Sequence, residues 1–324
     1  MPADLAEGEW NLAYDANGLD AGADLVFGTV RTGRYLLDPY EIRYADPDVG
    51  DTPMPRTDAI RLGQDYRAPA TITFELGVDT VGAAATPAGR HAHNLNALSA
   101  MGQAWDAEAL RRQFGAAAVL RTVQGGRARR FYGRPRKWDP AASRLTRQGY
   151  TPVTATFACV DATAYDDVEQ STRIDIQPPM HRGLVGPLRA PLTMTAASAG
   201  IPRSGIEVGG TKPAWPLITF TGPITQPSCT LVEQTVGGRR IPGWTVSLDV
   251  SLGPDQSVTI DPRPWACTVL RNDGASLAGK LTWDSPRLQN LRMPPGRQNL
   301  NLRGADDTGT ASMVVSWRDA YSYL

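Results

Sequence analysis

The sequence predicts a mainly β protein of two domains, the first carrying one amphipathic helix and the second forming a β-sandwich. Several short segments alternate apolar and polar residues with a period of two, which is typical of half-buried strands. The 32 glycines and 26 prolines are spread along the chain between these segments, as turn formers are between short strands. Helical spacing occurs in a single stretch, residues 94–113.

The first domain is predicted to span residues 1–171. Its clearest strand covers residues 70–78, where Ile72, Phe74 and Leu76 alternate with polar residues. An acidic, proline-containing loop is predicted at 46–55. The other predicted strands lie at 25–44 (two strands around Thr32-Gly33) and 150–160. An apolar stretch at 116–123, the turn Gly125-Gly126 and a basic stretch at 127–138 lie between the predicted helix and the strand at 150–160.

The predicted helix presents one apolar stripe, and Asn94 is its expected N-cap. Gly102 lies inside this helix, and Asp106 offers a second cap, so one bent helix and two short helices both stay open. We expect the helix to cover a face of the sheet. The stripe consists of Leu95, Leu98, Met101, Trp105 and Ala109.

The second domain is predicted to span residues 172–324 and to contain short strands alone. Alternating apolar residues precede turn dipeptides such as Gly222-Pro223, Gly253-Pro254 and Asp261-Pro262. Antiparallel strands with one apolar face each bury that face most simply as two packed sheets. The alternating residues are Ile218, Phe220, Val246, Leu248, Val250, Leu252, Val258, Ile260, Met313, Val315 and Trp317.

Composition favours an assembling protein over a nucleic-acid binder. The 33 Lys and Arg residues balance the 33 Asp and Glu residues, and a chain of zero net charge tends to associate. The beginning of the chain lacks the pattern of a secretory signal, and no apolar run is long enough to span a membrane. We therefore expect synthesis in a cytoplasm. Cys159, Cys229 and Cys267 are expected to be buried small hydrophobic residues.

The sequence predicts no enzyme, no cofactor and no metal. It contains three histidines, His91, His93 and His181, and no GxSxG motif or phosphate-binding loop. His91 and His93 are expected in an exposed loop before the helix. The acidic residues 46–51 lack the closing glutamate of an EF-hand, although a looser calcium site stays open. The pairs Asp166-Asp167 and Asp306-Asp307 are interpreted as solvated turns.

A basic stretch is the most distinctive charge feature. Residues 127–147 carry eight cationic side chains against the single acid Asp139, with aromatic residues between them. A contact between subunits is favoured, while a solvated face and binding of single-stranded nucleic acid stay open. Reversal of Arg129, Arg130 and Arg134 to Glu is predicted to disrupt assembly and leave the fold intact. The candidate assembly surface consists of Arg127, Arg129, Arg130, Arg134, Arg136 and Lys137.

Five tryptophans lie in the second half of the chain. Buried aromatic residues commonly fill the core of a β-sandwich, and this is the expected role. Exposed aromatic residues can instead form a platform for carbohydrate, so a sugar-binding role stays open. The five are Trp215, Trp244, Trp265, Trp283 and Trp317.

The order of these elements resembles the distal tail proteins of siphophages, the Dit-like minor tail proteins, in the type found in actinobacteriophages. The ending is the most telling part, with LRMPPGRQNLNL at 291–302 and SMVVSWRDAY at 312–321. The likeness spans nearly the whole chain. The other stretches that carry it are residues 36–44, 70–78, the helix ending near Trp105, 125–134, 157–165 and 249–263.

The resemblance implies a structural virion protein at the tail tip. The first domain would be a belt that forms a homohexameric ring with a central channel for DNA passage, and the second a galectin-like β-sandwich. The ring would join the tail tube protein to the tail-tip hub, or tail-associated protein, and would adjoin the tape measure protein and receptor-binding proteins. The alternative hypothesis is a carbohydrate-binding protein that attaches the phage to host-wall glycans.

Overall fold

The computed structural model describes residues 4–14, 22–56, 58–176, 203–236 and 239–324. The chain divides into two compact units, Met1–Asp167 with Tyr321–Leu324, and Val168–Ala320. The boundary predicted after residue 171 therefore differs from this division. A strand of the second unit already begins at Gln170, and the end of the chain belongs to the first unit. That the units act as separate functional domains stays a prediction.

The first unit is built around one large antiparallel sheet and a small separate ribbon, as its mainly β prediction requires. Its strands are β1 (Trp10–Tyr14), β2 (Ala23–Phe27), β3 (Arg34–Leu36), β4 (Glu41–Tyr44), β5 (Thr52–Pro53), β6 (Ile60–Arg61), β7 (Ala70–Asp79), β8 (Ala118–Gln124), β9 (Arg127–Pro140), β10 (Tyr150–Cys159) and β11 (Ala164–Asp166).

The sheet has the order β2-β1-β8-β9-β10-β7-β3 and is nearly closed into a barrel. Beyond the end of β2, Gly28 forms a bridge with Tyr35 in β3, so the two ends of this order meet. The Gly28 amide donates to the Arg34 carbonyl over 2.7 Å, and the Leu36 amide donates to the Gly28 carbonyl over 3.2 Å. Strand β4 extends the sheet along the first half of β7.

An aromatic cluster forms the centre of this unit. The alternation predicted for 70–78 is confirmed, because β7 buries every second residue, including Phe74. The Phe74 ring lies 5.0 Å from the ring of Trp10, 5.2 Å from Phe27 and 6.3 Å from Trp105 of the helix. Trp105 also donates its indole N–H to the Thr156 carbonyl over 3.1 Å, which fixes the helix on the sheet.

The helix begins earlier than predicted and is divided in two. Helix α1 covers Pro87–Asp106 and α2 covers Glu108–Arg112, separated by Ala107 with φ of 46°. The N-cap is Thr86, whose hydroxyl accepts from the Gly89 amide, and proline occupies the first helical position. The predictions of Asn94 as N-cap and of a histidine-containing loop before the helix are therefore wrong.

The strands of the second unit are β12 (Gln170–Asp175), β13 (Arg203–Val208), β14 (Leu217–Thr221), β15 (Ile224–Leu231), β16 (Gln234–Val236), β17 (Arg239–Ile241), β18 (Trp244–Ser247), β19 (Ser251–Leu252), β20 (Ser257–Asp261), β21 (Thr268–Arg271), β22 (Gly296–Ala305) and β23 (Ser312–Trp317), and β24 (Ala320–Tyr321) follows where the units divide. The unit contains two five-stranded antiparallel sheets with the orders β12-β23-β14-β20-β21 and β13-β22-β15-β18, and β19 pairs with β15 in the second of these. Short 3₁₀ helices lie at Val30–Thr32, Val81–Ala83, Arg144–Gln148, Ala278–Lys280 and Leu288–Asn290.

One core unites the two sheets of the second unit. Phe220 and Met313 from one sheet are fully buried in the same cluster as Cys229 and Leu300 from the other. In β14 and β23, the residues of this core alternate with residues outside it, as the predicted sandwich requires. The mainly β fold class is thus confirmed, while the galectin-like description stays a prediction.

Candidate functional site

The predicted basic stretch becomes the long strand β9. The cations of β9 differ in how far their side chains are buried. Arg129 is nearly buried, Arg130 and Arg134 are half-buried, and Arg127, Arg136 and Lys137 are exposed. Burial therefore divides the candidate assembly residues into two groups of three.

Arg129 is held within the first unit. Its guanidinium donates to the Asp166 carboxylate over 3.0 Å and to the Ala128 carbonyl over 3.2 Å. The same guanidinium lies 3.8 Å above the ring centre of Tyr321, a cation–π contact. Asp166 and Tyr321 flank the points at which the chain leaves and re-enters this unit. Arg129 therefore contacts both the segment through which the chain leaves the first unit and the segment through which it returns.

Arg121 and Arg130 share one carboxylate. They lie directly opposite each other on β8 and β9, where two like charges alone would repel. Both donate to Asp167, and each closest contact, from Nη2, is 2.6 Å. Asp166 and Asp167 are therefore ion-paired, and the prediction that they form a solvated turn is wrong.

Asp167 is held in its charged form. Burial alone would raise the pKa of its carboxyl, but hydrogen bonds from Arg121 and Arg130 and their positive charge outweigh this effect and lower the pKa. The hydrogen bond to Asp167 likewise raises the pKa of Arg121. The three groups form a charge-assisted network in which each depends on the others.

Arg134 supports a loop instead of an acid. It donates to the carbonyls of Gln113 and Ala116 over 2.6 and 2.7 Å. Burial, with a smaller effect from Arg136, lowers the pKa of Arg134. The loop so fixed displays Phe114, whose side chain is fully exposed.

Arg127, Arg136 and Lys137 are the residues of the predicted surface whose side chains are accessible. The Lys137 ammonium lies 3.0 Å from the Asp139 carboxylate, and both side chains are more than half exposed. Arg127 and Arg136 have no ion pair among the described residues. A role of these three in assembly stays a prediction.

A second group of arginines lines a cleft of 760 Å³ next to the beginning of α1. Arg90 comes from the helix, and Arg144 and Arg147 come from the 3₁₀ helix Arg144–Gln148; Pro87, Ser143 and Gln148 complete the lining. Within the described ranges none of the three arginines has an ion pair, and the buried Nε of Arg90 has no hydrogen-bond acceptor. We call this feature the arginine cleft.

A buried polar network holds the arginine cleft in shape. Asn94 is fully buried and donates to the carbonyls of Val78 and Gly149 over 3.2 and 3.1 Å. Its carbonyl accepts from the Thr151 hydroxyl over 2.7 Å, and that hydroxyl lies 3.1 Å from the hydroxyl of Thr146. Thr146 belongs to the 3₁₀ helix, so the network joins α1, the sheet and the arginine-bearing turn.

Replacing Asn94 with alanine should destabilise the first unit by about 1–3 kcal/mol, because the three buried hydrogen bonds of its side chain are lost. The melting temperature should fall by several degrees, at about 2–4 °C per kcal/mol. Calorimetry measures this change, with Asn96→Ala as the control because Asn96 is exposed on the same helix. Equal melting temperatures of the two variants would contradict the importance of the network.

The predicted acidic loop forms part of an exposed ribbon, which we define as residues 45–69. Asp48 and Tyr66 exchange two backbone hydrogen bonds of 2.8 and 2.9 Å, and Thr52 and Pro53 of β5 pair with Arg61 and Ile60 of β6. Every described residue from 45 to 67 is exposed. The ribbon is therefore an ordered projection whose side chains are open to a partner.

The remaining candidate groups lie apart from one another. Cys159 and Cys229 are buried, and burial raises the pKa of the Cys159 thiol to about 12, but Cys267 is exposed and its predicted burial is wrong. No group of three potential metal-ligating side chains occurs among the described residues. The Nδ1–H of His91 donates to the Thr146 carbonyl over 3.2 Å, and His181 lies outside the described residues. Asp306 accepts from the amides of Thr308, Thr310 and Ala311, so its interpretation as a solvated turn is wrong.

The tryptophans of the second unit have different environments. Trp215 and Trp317 are buried, and Trp244 and Trp265 are half-buried, so the prediction of core residues holds in part. Trp283 is 98% exposed. In the described part of the chain, no helix combines the length and apolar character needed to cross a membrane.

Comparison with solved structures reveals the same fold in phage proteins. The chain is similar to the SPP1 Dit protein, a paradigm of the hub adsorption apparatus in phages that infect Gram-positive bacteria. The identity is 12%, the match covers 96% of this chain and 98% of that one, and the TM-score is 0.50. A chain of the phage P2 baseplate, in its activated conformation with Ca, matches at 10% identity over 98% of this chain and 99% of that one, with a TM-score of 0.50.

No protein family matches the sequence, and neither does any curated protein. The predicted resemblance to phage distal tail proteins is confirmed at the level of the fold. The likeness covers both units, so the order of a β-rich first part and a second part of two packed sheets is common to these proteins.

Proposed function

We propose that this chain is a structural protein of a phage tail tip whose first unit assembles into a homohexameric ring. The ring joins the tail tube protein to the tail-tip hub and receptor-binding proteins, adjoins the tape measure protein, and leaves a central channel for DNA passage. The protein acts in the virion, after synthesis in the host cytoplasm. It catalyses no reaction and needs no cofactor.

The full-length likeness to the SPP1 Dit protein carries this proposal, because it includes both units and leaves few residues of either chain unmatched. Fold alone does not determine function, so the surface must support the same conclusion. Three features do so: an exposed ordered ribbon, a cleft of arginines without counter-charges among the described residues, and zero net charge. Each favours association of a protein with itself or with neighbours.

Mass determination in solution, combined with electron microscopy of negatively stained particles, tests the ring. We expect a species of about six times the 34.9 kDa chain mass and particles with a central hole. Because a partner can be required for closure, the measurement is repeated with the tail tube protein. A compact monomer under both conditions would contradict the proposal.

Trp283 favours carbohydrate binding as a second candidate function. An exposed tryptophan can stack on a sugar ring, and the following turn holds this one in place, because Ser285 donates to the Ser247 carbonyl over 3.1 Å. Titration with host-wall glycan fragments would then quench fluorescence to saturation, and Trp283→Ala would abolish the quenching. If the fluorescence of the intact protein did not change during the titration, the result would contradict carbohydrate binding and the structural role would be the remaining proposal.

A further inference from the structure

The arginine cleft carries positive charge that no side chain of its own lining neutralises. Arg90, Arg144 and Arg147 line it without any Asp or Glu. By contrast, Arg121, Arg129 and Arg130 on the neighbouring part of the sheet are paired with carboxylates. Arginine binds carboxylates through a planar fork of donors, so this cleft suits a carboxylate-bearing segment from another molecule.

The polar network of Asn94, Thr146 and Thr151 makes the cleft a prepared site. It fixes the 3₁₀ helix that carries Arg144 and Arg147 against α1, which carries Arg90. The backbone segments that carry the three arginines are therefore already in position before a partner binds. Less conformational freedom is lost on binding when the receiving site is ordered beforehand.

The ribbon has the complementary composition. Its first limb, residues 45–55, contains Asp46, Asp48 and Asp51 and no Lys or Arg. Neither Asp46 nor Asp48 forms a side-chain ion pair among the described residues, and Asp51 accepts from the backbone amide of Gly63 over 2.9 Å. The first unit thus carries three carboxylates on an ordered projection. In its arginine cleft it also carries three arginines that have no ion pair among the described residues.

The ribbon also displays apolar surface. Val49 and Met54 on the first limb and Ile60, Leu62 and Tyr66 on the second are between 46% and 80% exposed. Apolar side chains grouped on an ordered projection indicate a protein partner, because a nucleic acid offers the cleft phosphates but gives the ribbon nothing to bury. Charge and apolar surface together therefore favour a second copy of this chain as the partner.

We propose that the acidic first limb of the ribbon of one copy docks in the arginine cleft of the next copy. The proposal rests on the proposed ring. The contact uses two different surfaces of the chain, so it is a head-to-tail contact, and repetition of such a contact closes a ring when the rotation permits. Because the contact is largely ionic, added salt weakens it.

Cross-linking between two cysteine variants tests the contact without requiring a closed ring. Cys267 is exposed, so Cys267→Ser serves as the background. Asp48→Cys and Arg147→Cys are placed in separate full-length chains of different tag size, mixed, and treated with a short bismaleimide. We expect the amount of cross-linked heterodimer in the mixture to be at least ten times the amount of cross-linked dimer that either variant forms alone. The control replaces Arg147→Cys with Arg127→Cys, which is equally an exposed cation of the first unit.

Charge exchange supplies the second test. Arg144→Glu with Arg147→Glu, or Asp46→Arg with Asp48→Arg, should raise the dissociation concentration of the ring at least tenfold. The chain that carries all four changes should recover assembly, since the same contact is rebuilt with its charges exchanged. Melting temperatures of all variants should remain near that of the original chain, because none of these four side chains has an ion pair among the described residues.

The outcomes separate this inference from the proposed function. Rings that persist in both double variants, with no heterodimer, would overturn the ribbon contact and leave the ring standing. Heterodimers from a protein that never closes would support the contact and count against the ring. Single-stranded DNA binding that is lost in Arg144→Glu with Arg147→Glu, while self-association is unchanged, would overturn the inference in favour of nucleic acid.

Gly63 gives a control of shape without change of charge. A Cβ atom at this position would lie 2.0 Å from the Gly50 carbonyl oxygen on the opposite limb. Gly63→Val should therefore distort the ribbon and lower assembly at least tenfold, with the core unaffected. Assembly equal to that of the original chain would show that the ribbon's shape is irrelevant and would overturn the inference.

Discussion

Asp167→Asn is expected to destabilise the first unit by about 3–5 kcal/mol, although the side chains of aspartate and asparagine have nearly the same size. Removing one member of a buried ion pair leaves an uncompensated charge. Here two charges remain, because Arg121 and Arg130 face each other across β8 and β9 and are both about 85% buried, at 12% and 15% exposure. Hydrogen exchange of the β8 and β9 amides measures this change within the unit.

The effect of this substitution should depend on pH. Because the folded state lowers the pKa of Asp167 below its ordinary value of 3.8, the charged carboxylate stabilises the fold above that value. That contribution is lost as the pH falls through the lowered pKa of the folded protein. The difference in unfolding free energy between the original chain and Asp167→Asn should therefore be full at neutral pH and shrink below about pH 4.

Asp139→Asn is the matched control. Asp139 pairs with Lys137 on the same strand, but both side chains are more than half exposed. Exposed pairs of this kind contribute about 0–1 kcal/mol, so this variant should unfold nearly as the original chain does. Similar exchange protection in Asp167→Asn and Asp139→Asn would show that the shared carboxylate has no special role.

The sequence predicts strands well where one face is buried. The alternation at 70–78 corresponds to β7, and the turn Gly125-Gly126 joins β8 to β9, with φ of 59° and 69° that favours glycine. Residues 25–44 were less regular in pattern and form three short strands and a 3₁₀ turn. Periodicity detects a strand only when it is long enough to repeat.

The helix shows what an apolar stripe misses. Its first turns carry Ala, Gly, Arg and His, so the stripe begins only at Leu95, although Thr86-Pro87 is a recognisable start. Leu95 is half-exposed, whereas its polar neighbour Asn94 is fully buried. Asn94 takes that position because it satisfies backbone groups at the end of β7 and after the 3₁₀ helix. Because those carbonyls lie far from Asn94 in the sequence, no local sequence pattern reveals these hydrogen bonds.

The arginines show the same limit for the candidate site. Sequence places Arg129, Arg130 and Arg134 in one basic stretch, but which acceptor each one meets depends on the pairing of β9 with β8 and β11. The arginine cleft joins Arg90 to Arg144 and Arg147 across more than fifty residues of chain. Such groupings are consequences of register and packing, which a single sequence does not display.

Reversal of Arg129, Arg130 and Arg134 to Glu is therefore expected to unfold the first unit. Each new glutamate removes a hydrogen-bonding cation, and two of them lie beside carboxylates that they would repel. The loss of each buried charge pair costs about 3–5 kcal/mol, so together they approach the total stability of a domain, about 5–15 kcal/mol. The sequence-based expectation of an intact fold is replaced by this one.

Reversal of Arg127, Arg136 and Lys137 is the control with the same change of charge. These side chains are exposed, so the variant should fold, keep its circular dichroism spectrum and melt within a few degrees of the original chain. Only this second variant can report on assembly, because a ring lost from an unfolded chain says nothing about its surface. If both triple variants melted at the same temperature, the hydrogen bonds of Arg129, Arg130 and Arg134 would contribute little to the stability of the fold. All six cations would then be equal candidates for the assembly surface.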